Sequence, residues 1–327
     1  MILVFFISSI LNPGLKAQEE DKENKQAFIP DLDAILKTKV EYDLDHSLMR
    51  FEVRNARFGV RGKINDHMGY RFELDLSDEG DLKMLDAWVS FYPIENLIIY
   101  LGQKKIPFST DYLRSPADNI FANRSFLAKY INDGMRDIGI FAEYKTEGDI
   151  PLNIQVGGVN GTGNNNPDWI SKPGLAGRIT AGKDDGFRLA GNIYLGEDEL
   201  RDRFSIFGGE VRYASGNFFI ESEYITRGWT DTLSTRIHDD GLYIHSWYNF
   251  RIENRMVKMI SPTARWDMMG NSVFSGESDA SRITLGLNFG FEPRQFHSEI
   301  RINYENYFKQ KLPIHTDKLT LEFIARF

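Results

Sequence analysis

From residue 34 to the end of the chain, apolar and polar side chains alternate with a period of two, and the alternation is interrupted at intervals by clusters of Gly, Asn, Asp and Pro. The last eleven residues show it most clearly. Leu319, Leu321, Phe323, Ala325 and Phe327 share one face, and Lys318, Thr320, Glu322 and Arg326 lie between them. Successive side chains of a strand point to opposite faces, so this segment offers one face to an apolar medium and the other to water. The same reading places eight strands near 34–44, 50–64, 68–76, 83–92, 97–106, 136–144, 152–160 and 174–182. Eight more follow near 187–196, 205–214, 217–227, 241–250, 256–267, 280–290, 295–307 and 317–327. No helix of useful length is expected. The period also sorts faces: Tyr70, Phe72, Leu74 and Leu76 point outward with Ile138, Ile140, Ala142, Tyr144, Ile283, Leu285, Leu287 and Phe289. Arg71, Glu73, Asp75, Asp137, Glu143, Arg282, Thr284 and Asn288 point inward, which gives a polar interior.

The lengths of the connections alternate too. Short turns are expected at 64–67, 93–96, 146–149, 183–186, 214–217, 251–254 and 291–294, all rich in turn formers. Between them fall longer segments at 107–135, 161–173, 197–204, 228–240, 268–279 and 308–316. Tight turns on one rim and longer loops on the other describe an all-β fold: a transmembrane antiparallel β-barrel of about sixteen strands, with short periplasmic turns and long extracellular loops. A soluble sandwich has no reason to keep that rhythm over a whole chain.

The first residues fit export. ILVFFISSIL at 2–11 has the length of a signal-peptide core, and LKA at 15–17 offers cleavage before Gln18. No Lys or Arg precedes the run, which leaves open a start further upstream or a segment that is not a signal. The expected organisation is a signal peptide at 1–17, a charged periplasmic leader at 18–33 and an outer-membrane barrel at 34–327. No other apolar stretch approaches the ~20 residues of a spanning helix, so a membrane role falls to strands. The chain has no Cys, which removes thiolate nucleophiles and Cys-ligated metals, and its net charge of -8 argues against a nucleic-acid partner. Its six His lack metal-ligand spacing, and His245 and Ser246 face opposite sides of a strand, so no metal, cofactor or catalytic pair is expected. GTGNNNPD at 161–168 lacks the acidic spacing of a calcium loop and reads as a surface turn.

The most specific segments are GQKKIPFS at 102–109, which ends a strand and opens the longest loop, NRSFLAKY at 123–130 and RDIGIFAEY at 136–144. VNGTG at 159–163, GRI at 177–179, GGEVRYASGNFFIESEYI at 208–225, GLNFGF at 286–291 and the terminal Phe327 follow in order. In this order they resemble the phosphate-selective porin O and P family, and the resemblance spans most of the chain after residue 17. It implies a sixteen-stranded barrel, commonly trimeric, with the third loop folded inward and basic side chains lining an anion path, where they replace hydration lost in a constriction. The candidates here are Arg57, Arg61 and Lys63 on strand two, Arg71 on strand three, Lys104 on strand five, and Arg114, Arg124 and Lys129 in the third loop. About as many acids point inward, among them Glu41, Asp86, Glu210, Glu221, Glu223 and Glu299, so the expected lining is mixed. The expected function is an outer-membrane porin for passive diffusion of small hydrophilic solutes, with a mild preference for anions such as phosphate and no reaction. Its expected partners are those solutes, outer-membrane lipid and two further copies in a homotrimer. The rival classes are a loop-occluded barrel acting as an assembly or docking platform, and a surface lipase, for which no Ser/His pair is evident.

Overall fold

The computed structural model describes residues 29–78, 80–128, 136–197, 203–230, 236–292, 297–310 and 315–327. Among them, sixteen antiparallel strands form one closed barrel. They are β1 (Asp31–Asp43), β2 (Leu48–Asn65), β3 (Met68–Asp78), β4 (Asp81–Ile94), β5 (Leu97–Lys105), β6 (Arg136–Lys145), β7 (Leu152–Val159) and β8 (Gly174–Gly182). Then come β9 (Gly186–Glu197), β10 (Arg203–Ser215), β11 (Phe218–Thr230) and β12 (Arg236–Tyr248, resuming past Asn249 as Phe250–Arg251). The last four are β13 (Met259–Ser272), β14 (Glu277–Gly290), β15 (Ser298–Gln310) and β16 (Lys318–Arg326). Each strand pairs with its neighbours in sequence, and β1 closes on β16 in a register running from Ile35↔Arg326 to Asp43↔Lys318. Two further bonds finish the seam: Ala34 N donates to Phe327 O at 2.8 Å, and Phe327 N to Ala34 O at 3.1 Å. Closure leaves no unpaired edge, as a lipid environment requires.

The faces follow the alternation. Phe72, Leu76, Ile140, Tyr144, Ile283, Leu285, Leu287, Leu319, Phe323 and Phe327 are exposed on the outside, while Glu73, Asp75, Asp137, Glu143, Arg282, Thr284, Asn288, Thr320 and Glu322 are buried inside. The strand ends differ from expectation. The barrel starts at Asp31, three residues early, because Asp31, Leu32 and Asp33 already pair with Arg61, Val60 and Gly59. On the rim opposite the chain ends, β10, β12, β13 and β14 run beyond the expected limits, so the connections there shrink to a few residues. The reason is physical: apolar alternation stops where lipid stops, whereas ladder hydrogen bonds continue into water. The stretches 106–135 and 160–173 remain long. The signal-peptide segment and most of the leader lie outside the described residues.

The interior is not uniformly polar. Inward positions of β5 to β12 carry Tyr100, Phe141, Val159, Ala176, Tyr194, Ile206, Ile225 and Tyr243, and these pack with Ile106, Phe108 and Leu127 of the third loop into one buried cluster. Burying such a patch takes apolar surface out of water at roughly 25 cal/mol per Å². It seats the loop against the wall of β5 to β12.

Candidate functional site: the lumen beside the third loop

After β5 the chain turns inward. Gly102, at φ 129°, is placed where a Cβ would meet Ala87 O at 2.3 Å, so only glycine lets β5 approach β4 this closely. A single helical turn follows, α1 (Thr110–Leu113), with Ser109 Oγ accepting from Tyr112 N at its start. Lys105 Nζ caps its end by donating to the carbonyls of Tyr112 (2.8 Å), Leu113 (3.0 Å) and Arg114 (2.8 Å).

The loop is then tied to the wall strand by strand. Thr110 bonds Glu210 on β10, which also pairs with Arg178 of β8, and Arg114 pairs with Glu221 of β11. Asn288 Nδ2 donates to Ile120 O at 2.8 Å, Ala122 N to Asn303 Oδ1 at 2.6 Å, Arg265 to Asn123 O at 2.9 Å and Phe126 N to Asp267 at 2.9 Å. Phe121 packs on Trp247, and Phe126 lies under the Arg282 guanidinium at 4.5 Å. Within the loop, Asp111 accepts from Ser125 N (3.0 Å) and Ser125 Oγ (2.6 Å). Burial pushes the Asp111 carboxyl up, but Arg124, the Ser125 bond and Arg114 outweigh it and hold it below the ordinary carboxylate range.

Between the loop and the opposite wall lies a cavity of about 810 Å³. Among the described residues, eleven Lys and Arg line it, against two carboxylates, Glu41 and Glu305. Lys37, Lys39, Arg50, Arg54 and Arg57 come from β1 and β2, and Lys83, Lys105, Arg136, Arg282 and Lys318 from other strands. Most of the balancing acids sit behind this layer. Arg57 reaches Asp75 at 2.9 Å, Lys37 reaches Glu322 at 2.9 Å, and Arg282 reaches Asp267 at 2.6 Å, all three acids being fully buried. Such an arrangement presents cations to the water and hides the counter-charges.

Of the eight sequence candidates, Arg57 and Arg124 line this cavity. Arg124 spends its guanidinium on the carbonyls of Asp111 and of Arg114, the latter at 2.8 Å. Arg71 lies nearer the chain-end rim among Asp33 (3.0 Å), Glu73 (3.0 Å) and Asp86 (3.4 Å). Arg61, exposed and 3.6 Å from Asp31, and Lys63 stand at that rim itself. Lys104 faces a separate, smaller cavity, Arg114 turns to the far wall, and Lys129 lies outside the described residues. Sequence reasoning missed Lys37, Lys39, Arg50, Arg54, Lys83, Lys105, Arg136 and Lys318. The alternation KTKVE at 37–41 already put Lys37, Lys39 and Glu41 on one face; nothing local tied Lys83 or Arg136 to them.

The barrel matches solved structures. It is 13% identical to the loop L8 deletion mutant of OmpT, an outer membrane protein of Vibrio cholerae, with a TM-score of 0.66 over 92% of this chain and 100% of that one. An anion-selective porin from Comamonas acidovorans gives 11% identity and a TM-score of 0.66 over 91% and 99%. The outer membrane channel DcaP of Acinetobacter baumannii gives 13% and 0.61 over 93% and 98%. No curated protein matches the chain. The closed barrel with its inward loop and water-facing cation layer is that of a bacterial outer-membrane porin, and fold and family match point to a passive channel. Within that class, the family model described as phosphate-selective porin O and P matches residues 31–186, so the resemblance seen in the sequence holds from β1 through the third loop to the start of β9.

Proposed function

We propose that the channel prefers anions, phosphate-like ones among them, and that the third loop sets its narrowest point against β1 and β2. The observation that carries this reading is the excess of cations over carboxylates around the 810 Å³ vestibule. In a confined, partly dehydrated passage, Lys and Arg replace water around an anion and repel a cation. Arg57, Arg124 and the other vestibule cations are the working set; Arg71 and Lys104 act beyond the vestibule, Arg61 and Lys63 at the rim, and Arg114 through the loop it anchors. The solute passes unchanged, the outer face meets lipid, and three copies assemble side by side. The anion-selective relative from Comamonas acidovorans and the trimer form of OmpT from Vibrio cholerae are compatible with this reading.

The best residues to neutralise are those whose carboxylate neighbours keep other cations. Arg54, with 30% of its side chain exposed, stands 3.9 Å from Glu52, and Lys318 stands 3.9 Å from Glu41. With both removed, Glu41 and Glu52 keep Lys39, at 3.1 Å and 3.3 Å, and Arg50, whereas removing Arg57 would strand Asp75. In a KCl gradient across a planar bilayer, the wild type is expected to show an anion-directed reversal potential, and the double variant Arg54→Gln/Lys318→Gln a shift toward cations. A channel that is cation-selective from the start, or a double variant with an unmoved potential, overturns the anion preference. A barrel without conductance at low voltage would favour the occluded platform instead.

A further inference from the structure

Between the root of the third loop and the wall of β5 to β7 lies a second cavity, about 130 Å³, whose lining among the described residues shares only Lys105 with the vestibule. Lys104 borders it. Its ammonium lies 3.5 Å over the Tyr100 ring and 5.4 Å from that of Phe141, and among the described residues it has neither a hydrogen-bond nor an ion-pair partner. The two acids of the lining, Asp86 and Glu143, are already engaged. Glu143 accepts from the Tyr100 hydroxyl at 3.0 Å, Asn153 at 3.0 Å, Gln155 at 3.1 Å and Lys145 at 3.1 Å. Asp86 is held by Arg136 at 2.9 Å and Arg71 at 3.4 Å, and the three donors of Lys105 serve loop carbonyls. An ammonium with ring contacts only therefore faces a small space whose other walls include Phe141, Pro107 and Leu113.

This is a poor site for a multiply charged oxyanion, which needs donors on several sides. It suits one negative charge with an apolar tail. We propose that the cavity is a binding station for small organic monocarboxylates, the carboxylate on Lys104 Nζ and the hydrocarbon tail against Phe141, Pro107 and Leu113. The space equals roughly four waters at ~30 Å³ each, so the tail is short. The proposal rests on the anion-conducting reading of the lumen and adds a solute class to it.

The test is block of single-channel KCl current by formate, propionate and pentanoate at constant ionic strength. Each buried methylene favours binding about fourfold, so pentanoate is expected to half-block at a concentration roughly tenfold or more below formate. Lys104→Gln is expected to abolish the dependence on tail length, Lys104→Arg to keep it, and Leu113→Ser to keep the formate response while flattening the series. Equal block by formate and pentanoate in the wild type, or an unchanged tail dependence in Lys104→Gln, overturns the site. An anion-directed reversal potential without tail dependence removes this site and leaves the vestibule reading standing. Tail-dependent block in a cation-selective pore does the reverse.

Discussion

Arg301 shows what a charge inside this barrel is for. Fully buried, it donates to Glu299 at 3.0 Å, Glu322 at 3.2 Å and the Ala117 carbonyl at 2.8 Å. Lys37 adds a second link, to Glu322 at 2.9 Å and Pro116 O at 3.3 Å. Together the two cations join β1, β15, β16 and the third loop at one point. Truncating one partner of a buried ionic cluster costs far more than the cluster contributes, because the remaining charges stay desolvated. Arg301→Met is therefore expected to lose about 3–5 kcal/mol of stability, the range for breaking a buried pair, read from urea unfolding in detergent micelles. Arg301→Lys should lose less, since it keeps the charge and gives up only the fork geometry. A loss within experimental error for Arg301→Met would show that water or lipid headgroups reach this cluster.

At the scale of elements, the third loop divides the barrel, and its two sides have different chemistry. One side is apolar and docks on β5 to β12; the other presents Tyr112, Asn123 and Arg124 to the vestibule. Excising residues 112–126 while keeping the strands should raise single-channel conductance severalfold, and an unchanged conductance in a folded barrel would place the constriction elsewhere. The strands were legible in the sequence because a period of two ties every side chain to lipid or lumen, and a slip of one residue would invert the whole pattern. The inward course of the loop was legible from the family resemblance. The wall it docks on was not. Tyr194, Ile206, Ile225 and Tyr243 each read as apolar residues at polar positions of separate strands, and they become one patch only when sixteen strands close. The vestibule was hidden for the same reason: Lys83, Arg136 and Arg282 are distant in sequence and meet across the lumen.

For the whole molecule, the net charge of -8 and the cationic vestibule are compatible because sign and position are separate quantities. Acids gather in the turns and behind the lumenal layer, where a permeating ion is shielded from them or has already passed. Composition therefore cannot set the selectivity; the field at the narrow zone does. Such a field reaches an ion only across the screening length, about 10 Å at 0.1 M salt and about 3 Å at 1 M. If the vestibule cations select at a distance, the anion preference should be strongest in dilute KCl and largely lost near 1 M. Reversal potentials at a fixed concentration ratio, measured over that range, give the answer directly. A preference that persists undiminished at 1 M would mean that ions are sorted by direct contact with one or two side chains, and the wider cation layer would then serve to hold the third loop in place.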